Sequence, residues 1–147
     1  FKNTTEHGIL SASLMAKVGI RMAGIGGNPL CIINWYENHA AEKGLIYGLR
    51  QAFPEIMVIG SQPFITPPNY LSSLPSKQDD ILNITPDKVL VMGPVTHEAM
   101  REFNPNLNLD FTPPFRFKKF SPISIYTGKI ICIIFNPFIM FYCSITK

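Results

Sequence analysis

Residues 29–64, PLCIINWYENHAAEKGLIYGLRQAFPEIMVIGSQPF, decide the fold. Their first apolar run, residues 30–35, contains two β-branched isoleucines and predicts a strand. Apolar and small residues then recur at spacings of three and four over residues 41–52, which predicts a helix that ends at Pro54. A second apolar run, residues 56–59, predicts another strand. Two buried strands joined by a helix form a βαβ unit, which predicts a parallel sheet with a right-handed crossover.

Polar residues follow both strands of this unit. In open α/β sheets, ligands bind in the crevice outside the carboxyl ends of the strands. The sequence therefore predicts a ligand site at this edge, with four polar residues beside it: Glu37, Asn38, Ser61 and Gln62.

Composition limits the class of protein. The chain has 147 residues, of which 46% are hydrophobic, and this suits one domain or a piece of a larger protein. The net charge of +3 comes without a basic stripe interleaved with aromatic residues, so no nucleic-acid partner is predicted. The three cysteines form no CxxC pair, which indicates neither a disulfide framework nor a zinc site and favours a reducing compartment. The first residue is Phe and no signal peptide follows, so we expect a fragment or a processed product.

Residues 1–28 are predicted to form an N-terminal helix and a turn. Residues 1–8 are polar and expected to fray, residues 9–20 have the spacing of an amphipathic helix, and Gly19 is its expected C-cap. The glycines of residues 24–28 do not have the spacing of a dinucleotide-binding loop and precede a strand, so a plain turn is expected.

The second half of the predicted core repeats the strand-to-helix order. Residues 66–80 form a long Pro- and Ser-rich loop whose Tyr70 and Leu71 are expected to pack onto the body. Residues 88–92 predict a third strand, Thr96 the N-cap of a helix over residues 97–103, and residues 109–111 a short fourth strand. Free N–H groups at that helix start suit an anion such as a diphosphate, and His97 lies in the same turn.

Residues 119–147 form an apolar tail of uncertain structure. Residues 129–142, KIICIIFNPFIMFY, are almost wholly apolar but shorter than the roughly 20 residues of a membrane-spanning helix. Three alternatives stay open: a tail that is not native to the fold, a hairpin around Asn136-Pro137, and a membrane anchor.

Six short motifs in order resemble the GT-B glycosyltransferases that build bacterial surface polysaccharides. They are WYEN at 35–38, KGLIYGLR at 43–50, VIGSQPF at 58–64, NYLSSLP at 69–75, PDKVLVMGP at 86–94 and TPPFRF at 112–117. The order and spacing match over about residues 29–118. Two positions depart from the family pattern, because Ser61 stands where an aromatic residue is usual and Pro63 where a His is frequent. The resemblance implies a fragment of a two-domain enzyme that transfers a sugar from a nucleotide-sugar donor to a cell-surface glycan acceptor.

The resemblance also implies roles for the residues at the predicted edge. Helix N-termini and basic side chains stabilise the leaving phosphate, and an acidic side chain deprotonates the acceptor. Glu37 is the candidate base, with helix capping as its alternative. The candidate substrate-binding residues are Asn38, Gln62, Tyr70, Thr96, His97 and Arg116. Each also has a structural alternative, such as a cap or a loop hydrogen bond.

The predicted fold class is α/β, with a Rossmann-like parallel sheet and flanking helices over residues 29–118. No cofactor or metal is expected, because the nucleotide-sugar is a substrate. The expected partners are that donor and a glycan acceptor, in the cytoplasm, with a peripheral contact at the inner face of the membrane left open. A non-catalytic α/β binding module and a membrane-associated interaction protein are the alternative functions.

Overall fold

A computed structural model describes residues 2–25, 29–62, 64–65, 67, 70–112, 131–136 and 139–144. It shows an α/β fold with flanking helices and a six-stranded sheet, of which the first four strands are all parallel, as the sequence predicts. The helices are α1 (Lys2–Arg21), α2 (Ala40–Ala52), α3 (Lys77–Ile81) and α4 (Pro94–Phe103). The strands are β1 (Cys31–Trp35), β2 (Met57–Gln62), β3 (Lys88–Val91), β4 (Leu109–Phe111), β5 (Ile131–Asn136) and β6 (Ile139–Ser144).

The first four strands lie side by side in chain order and are all parallel. Each crossover therefore steps in the same direction, and right-handed crossovers place α2 and α4 on the same face of the sheet. The core agrees with this arrangement, because Ile32 and Val58 of the strands pack in one cluster with Leu45 of α2 and Met100 of α4. Polar groups at and after the strand ends consequently meet at one edge, the carboxyl-terminal edge of the sheet. Ser61 and Gln62 were predicted to follow the second strand, but they are its last two residues.

The two apolar strands joined at the other side of the sheet form a hairpin. Strand β5 pairs with β1 in parallel, and β6 pairs with β5 in antiparallel orientation. A hairpin was one of the three alternatives for the tail. In the described part of the chain, every helix is too short or too polar to cross a bilayer.

Helices α1 and α2 approach each other through small residues. A Cβ atom added to Gly44 would lie 2.1 Å from the carbonyl oxygen of Ala12, and one added to Gly48 would lie 2.1 Å from that of Ala16. The predicted C-cap role of Gly19 is wrong, because this buried glycine lies inside α1, where an added Cβ would lie 2.6 Å from the backbone nitrogen of Leu49. Side chains would force the helices apart, so the glycines of this interface fix the distance between them.

The start of α1 was also predicted incorrectly. Residues 1–8 were expected to fray, but the helix begins at Lys2. The amphipathic pattern did not locate the buried face either, because Ile9, Leu10 and Leu14 are more than half exposed. The helix instead buries the face that carries its small residues against α2, and only Met15 of the predicted apolar set packs against the core cluster.

A network around Arg50 joins the end of α2 to the turn before β3. Its guanidinium donates to the backbone oxygens of Asn83 at 2.7 Å and Thr85 at 2.9 Å, and to Asp87 Oδ1 at 2.9 Å. The other carboxylate oxygen of Asp87 accepts a hydrogen bond of 2.7 Å from the backbone N–H of Val58 in β2. The network therefore sets β3 beside β2.

The long loop between β2 and β3 contains more structure than the sequence predicted. It includes a 3₁₀ turn at Leu71–Ser73 and the short helix α3, which begins at a Ser76–Asp79 capping box. The predicted packing of Tyr70 and Leu71 is wrong, since their side chains are 43% and 65% exposed. Ser73, Leu74 and Pro75 are among the loop residues that are buried instead.

Candidate functional site at the carboxyl edge of the sheet

The turn after β1 carries the candidate base. The Glu37 carboxylate accepts a hydrogen bond of 2.6 Å from Trp35 Nε1 through one oxygen, and its other oxygen lies 3.1 Å from His39 Nε2. The alternative that Glu37 caps the next helix is wrong. Glu42 supplies the carboxylate at the start of α2, and it accepts hydrogen bonds from the backbone N–H groups of Glu37 at 2.8 Å and His39 at 3.1 Å. Glu37 is thus held by two side chains and left partly exposed to solvent.

Asn38 joins the same turn to the loop before α3. It has a positive φ of 63°, a conformation that Asn adopts more readily than most residues. Its Nδ2 donates to the backbone oxygens of Ser72 and Leu74, both at 3.1 Å, and its Oδ1 accepts a hydrogen bond of 3.0 Å from Tyr36 Oη. The helix-capping alternative for Asn38 is wrong, because His39 is the N-cap of α2. Both amide protons are used within the fold, so Asn38 acts here as a link between two loops of the edge.

Four buried residues near this edge have polar atoms without a hydrogen-bond partner among the residues that the structure describes. They are Asn34, Ser61, Gln62 and Thr96. Gln62 is the most extreme, because it is fully buried and neither Oε1 nor Nε2 has a partner. A buried polar group left unpaired costs about 1–3 kcal/mol, so such groups in a native fold call for an explanation. A ligand that supplies the missing partners is one.

Sheet register brings Gln62 towards helix α4. Gln62 is aligned with Val91, the last residue of β3, so both side chains face the side of the sheet that α4 covers. Thr96 lies in the first turn of α4, is 1% exposed, and has no partner for its Oγ1 among the described residues. The end of β2 and the start of α4 therefore each present unpaired polar atoms at the same edge.

The N-terminus of α4 differs from the sequence prediction. The predicted helix over residues 97–103 begins earlier, at Pro94, and the N-cap is Gly93 with a φ of 81°. Thr96 is therefore not the N-cap. A glycine cap has no side chain to accept from the first-turn N–H groups, and proline at the first position suits the start of a helix. This arrangement leaves backbone donors of the first turn for a ligand, as the prediction of an anion site requires.

The other predicted site residues make other contacts or lie outside the described residues. The His97 ring stacks on Phe111 of β4, with ring centroids 4.9 Å apart. Tyr70 is exposed, and its backbone oxygen accepts from the hydroxyl of Ser73 at 2.9 Å. Arg116 lies outside the described residues.

Burial shapes the acid–base properties of the first turn. Burial raises the pKa of Glu42, although hydrogen bonds from the N–H groups of Glu37 and His39 oppose the change. Burial also raises the pKa of Tyr36 well above its usual value, and the nearby carboxylate of Glu42 adds to this. Tyr36 is therefore a neutral hydrogen-bond donor over the physiological pH range.

A cavity of about 210 Å³ lies between α1, α2 and the end of β1. Its described lining residues are Met15, Asn34, Trp35, His39, Ala41, Glu42 and Leu45. Asn34 was not among the predicted site residues. Its signal in the sequence was a single amide inside an otherwise apolar strand, CIINW.

Comparison with known proteins adds no assignment to this geometry. No protein-family model, curated protein or solved structure matches the chain. Among the described residues, no three His, Cys, Asp or Glu side chains are grouped as metal ligands.

Proposed function

We propose that this chain is part of a GT-B-type glycosyltransferase of surface-glycan assembly, and that the carboxyl edge of its sheet binds the phosphate end of a nucleotide-sugar donor. The observation that carries the proposal is the pair of buried, unpartnered side chains Gln62 and Thr96, at the end of β2 and in the first turn of α4. The ordered motifs of residues 29–118 supply the class of enzyme.

Transfer of the sugar requires hydrogen-bond donors for the leaving phosphate at that edge. When a sugar is transferred, the bond between its anomeric carbon and the donor phosphate breaks, and the phosphate leaves with the electron pair. First-turn N–H groups of α4, the hydroxyl of Thr96 and the amide of Gln62 are hydrogen-bond donors that stabilise this growing charge.

The proton of the acceptor hydroxyl goes to Glu37 in this proposal. Its carboxylate lies in the turn after β1, at the same edge of the sheet, and its side chain is 29% exposed. His39 and Trp35 hold the two oxygens, so the base is oriented before the acceptor arrives.

The direct test is a calorimetric titration of UDP, GDP and CMP, with and without an attached sugar. Gln62→Leu and Thr96→Val remove the unpartnered groups and keep the approximate shape of the side chains. A hydrogen bond to a charged group contributes about 1.5–3 kcal/mol, so each variant should weaken binding roughly 10- to 150-fold.

Gln51→Leu is the matched control, because Gln51 is exposed on α2 and away from the edge. It should bind the nucleotide as the wild-type chain does. A folded chain that binds none of these nucleotides contradicts the proposal, and so does a control that loses as much affinity as Gln62→Leu.

A further inference from the structure

The β5–β6 hairpin aligns two of the three cysteines of the chain. Its register places Cys132 of β5 directly opposite Cys143 of β6. Residues that are opposite each other in an antiparallel pair share a face of the sheet and have Cα atoms about 4.5 or 5.5 Å apart. A disulfide requires Cα atoms about 4.4–6.8 Å apart, so an opposed pair meets this requirement at either separation.

We propose that Cys132 and Cys143 form a reversible cross-strand disulfide. The search for a CxxC pair did not indicate it, because the two residues are far apart in the chain and the pairing of two strands aligns them. In the reducing compartment that the cysteine count favours, the pair would stay as two thiols until an oxidant is present. The inference does not depend on the proposed function, since no residue of the candidate site takes part.

The oxidant is a low-molecular-weight disulfide such as oxidised glutathione. The thiolate of one cysteine attacks a sulfur of the oxidant, which forms a mixed disulfide and releases one thiol. The thiolate of the other cysteine then attacks the protein sulfur of that mixed disulfide and releases the second thiol. The two cysteines thereby lose two electrons and two protons, and the oxidant becomes two thiols.

Cys31 is the competing thiol. Strand β1 pairs with β5 through Ile33 with Ile134 and Asn34 with Phe135, so Cys31 and Cys132 lie two positions before this paired segment. Cys132 lies inside the paired segment of β5 and β6. The register therefore favours Cys143 as the partner of Cys132.

The disulfide would fasten the edge of the sheet. Strand β6 is the last strand in the sheet order, and its neighbour β5 pairs with β1. A covalent link between β5 and β6 closes a loop over residues 132–143 and prevents the edge strand from slipping along its neighbour. Oxidation should therefore raise the melting temperature, by about 5 °C or more.

Mass mapping of the full chain tests the pairing. The chain is equilibrated in glutathione redox buffers and its remaining thiols are alkylated. Trypsin then separates residues 22–43, which contain Cys31, from residues 130–147, which contain Cys132 and Cys143. We expect the 130–147 peptide to be unalkylated and two hydrogens lighter, and dithiothreitol to reverse this. The equilibrium constant for closing the disulfide should be at least about tenfold larger in the folded chain than in concentrated urea, because a cross-link that fits the fold stabilises it.

Two variants separate the roles of the cysteines. Cys143→Ser should carry glutathione on Cys132 in place of the internal disulfide, and oxidation should no longer raise its melting temperature. Cys31→Ser is the matched control and should oxidise as the wild-type chain does. Three results on the wild-type chain would each overturn the proposal: a main product that links Cys31 to a hairpin cysteine, two hairpin thiols that stay open to alkylation in oxidising buffer, or equal equilibrium constants in the folded chain and in urea.

Discussion

The contact between α1 and α2 gives a prediction whose sign can be worked out from the structure. In Gly44→Ala, the new Cβ would lie 2.1 Å from the carbonyl oxygen of Ala12, about 1.3 Å closer than ordinary van der Waals contact. The neighbouring atoms at 2.7 Å are also backbone of residue 12, so no side chain can rotate away. The helices must therefore separate.

The expected loss of stability follows from two opposing effects. Overpacking costs about 1–3 kcal/mol, with the upper end fitting a contact between two backbones, whereas alanine gains about 1 kcal/mol over glycine in helix propensity. We expect the free energy of unfolding to fall by about 1–2 kcal/mol. Urea denaturation followed by circular dichroism, with an unchanged m-value, measures it.

Gly8→Ala is the matched control within α1. Its added Cβ would lie 3.8 Å from the side chain of Ala40, an ordinary contact, so only the helix propensity changes. This variant should gain up to about 1 kcal/mol. In addition, Ala12→Gly should not rescue Gly44→Ala, because the clash is with the backbone of residue 12. A Gly44→Ala protein as stable as wild type, or rescued by Ala12→Gly, would refute the reasoning.

Two further predictions concern buried polar contacts. Tyr36→Phe leaves the buried Oδ1 of Asn38 without its donor and should lower the free energy of unfolding by about 1–3 kcal/mol. Tyr47→Phe is the control, because Tyr47 is half exposed, and it should change that free energy little. Equal losses of the two variants in urea denaturation would contradict this. Burial alone would raise the pKa of Asp79, but hydrogen bonds that include one from Lys43 outweigh it, so the folded pKa is lowered. Because the pKa is lower in the folded protein, the ionised carboxylate of Asp79 stabilises the fold at pH values above the unfolded pKa of about 3.9, and this contribution is lost as the pH falls through the folded pKa. Lys43→Met should therefore lose less stability between pH 7 and pH 3 than the wild-type chain, and an identical pH dependence would count against the ion pair.

Period and turn chemistry located several elements of the core but missed α3, the first residues of α4 and the last residues of β2. Strand β1 and helix α2 lie within a residue of their predicted bounds, because an apolar run and a helical repeat both end at clear breaks. Strand β4 matches its prediction. The parallel order of the sheet followed from the βαβ unit, since helix crossovers place successive strands side by side.

Helix packing was not predictable from the same patterns. The apolar residues of α1 indicated a face that the structure leaves largely exposed, while Ala12, Ala16 and Gly19 lie on the face that contacts α2. Hydrophobic periodicity assumes that burial follows side-chain size. Close helix contact depends instead on residues with little or no side chain. Alanine and glycine contribute little to a hydropathy pattern, so that pattern does not indicate the contact.

Several residues that carried the family resemblance form contacts between one motif and another. Asn38 of WYEN donates to backbone oxygens of NYLSSLP, and Arg50 of KGLIYGLR pairs with Asp87 of PDKVLVMGP. These residues join distant parts of the fold, so their spacing reflects architecture as well as chemistry. The unpartnered atoms of Asn34 and Gln62 needed coordinates, because a sequence does not show which buried amide lacks a partner.

The most direct test of the central claim is an amide chemical-shift map of the chain titrated with the nucleotide that binds it in calorimetry. The account predicts that the largest shifts fall on Gln62 and on the first turn of α4 at Val95 and Thr96, while Met57, at the opposite end of β2, does not move. Shifts confined to the Met57 end of the sheet, or none at saturating UDP, GDP and CMP, would contradict a phosphate site at the carboxyl edge.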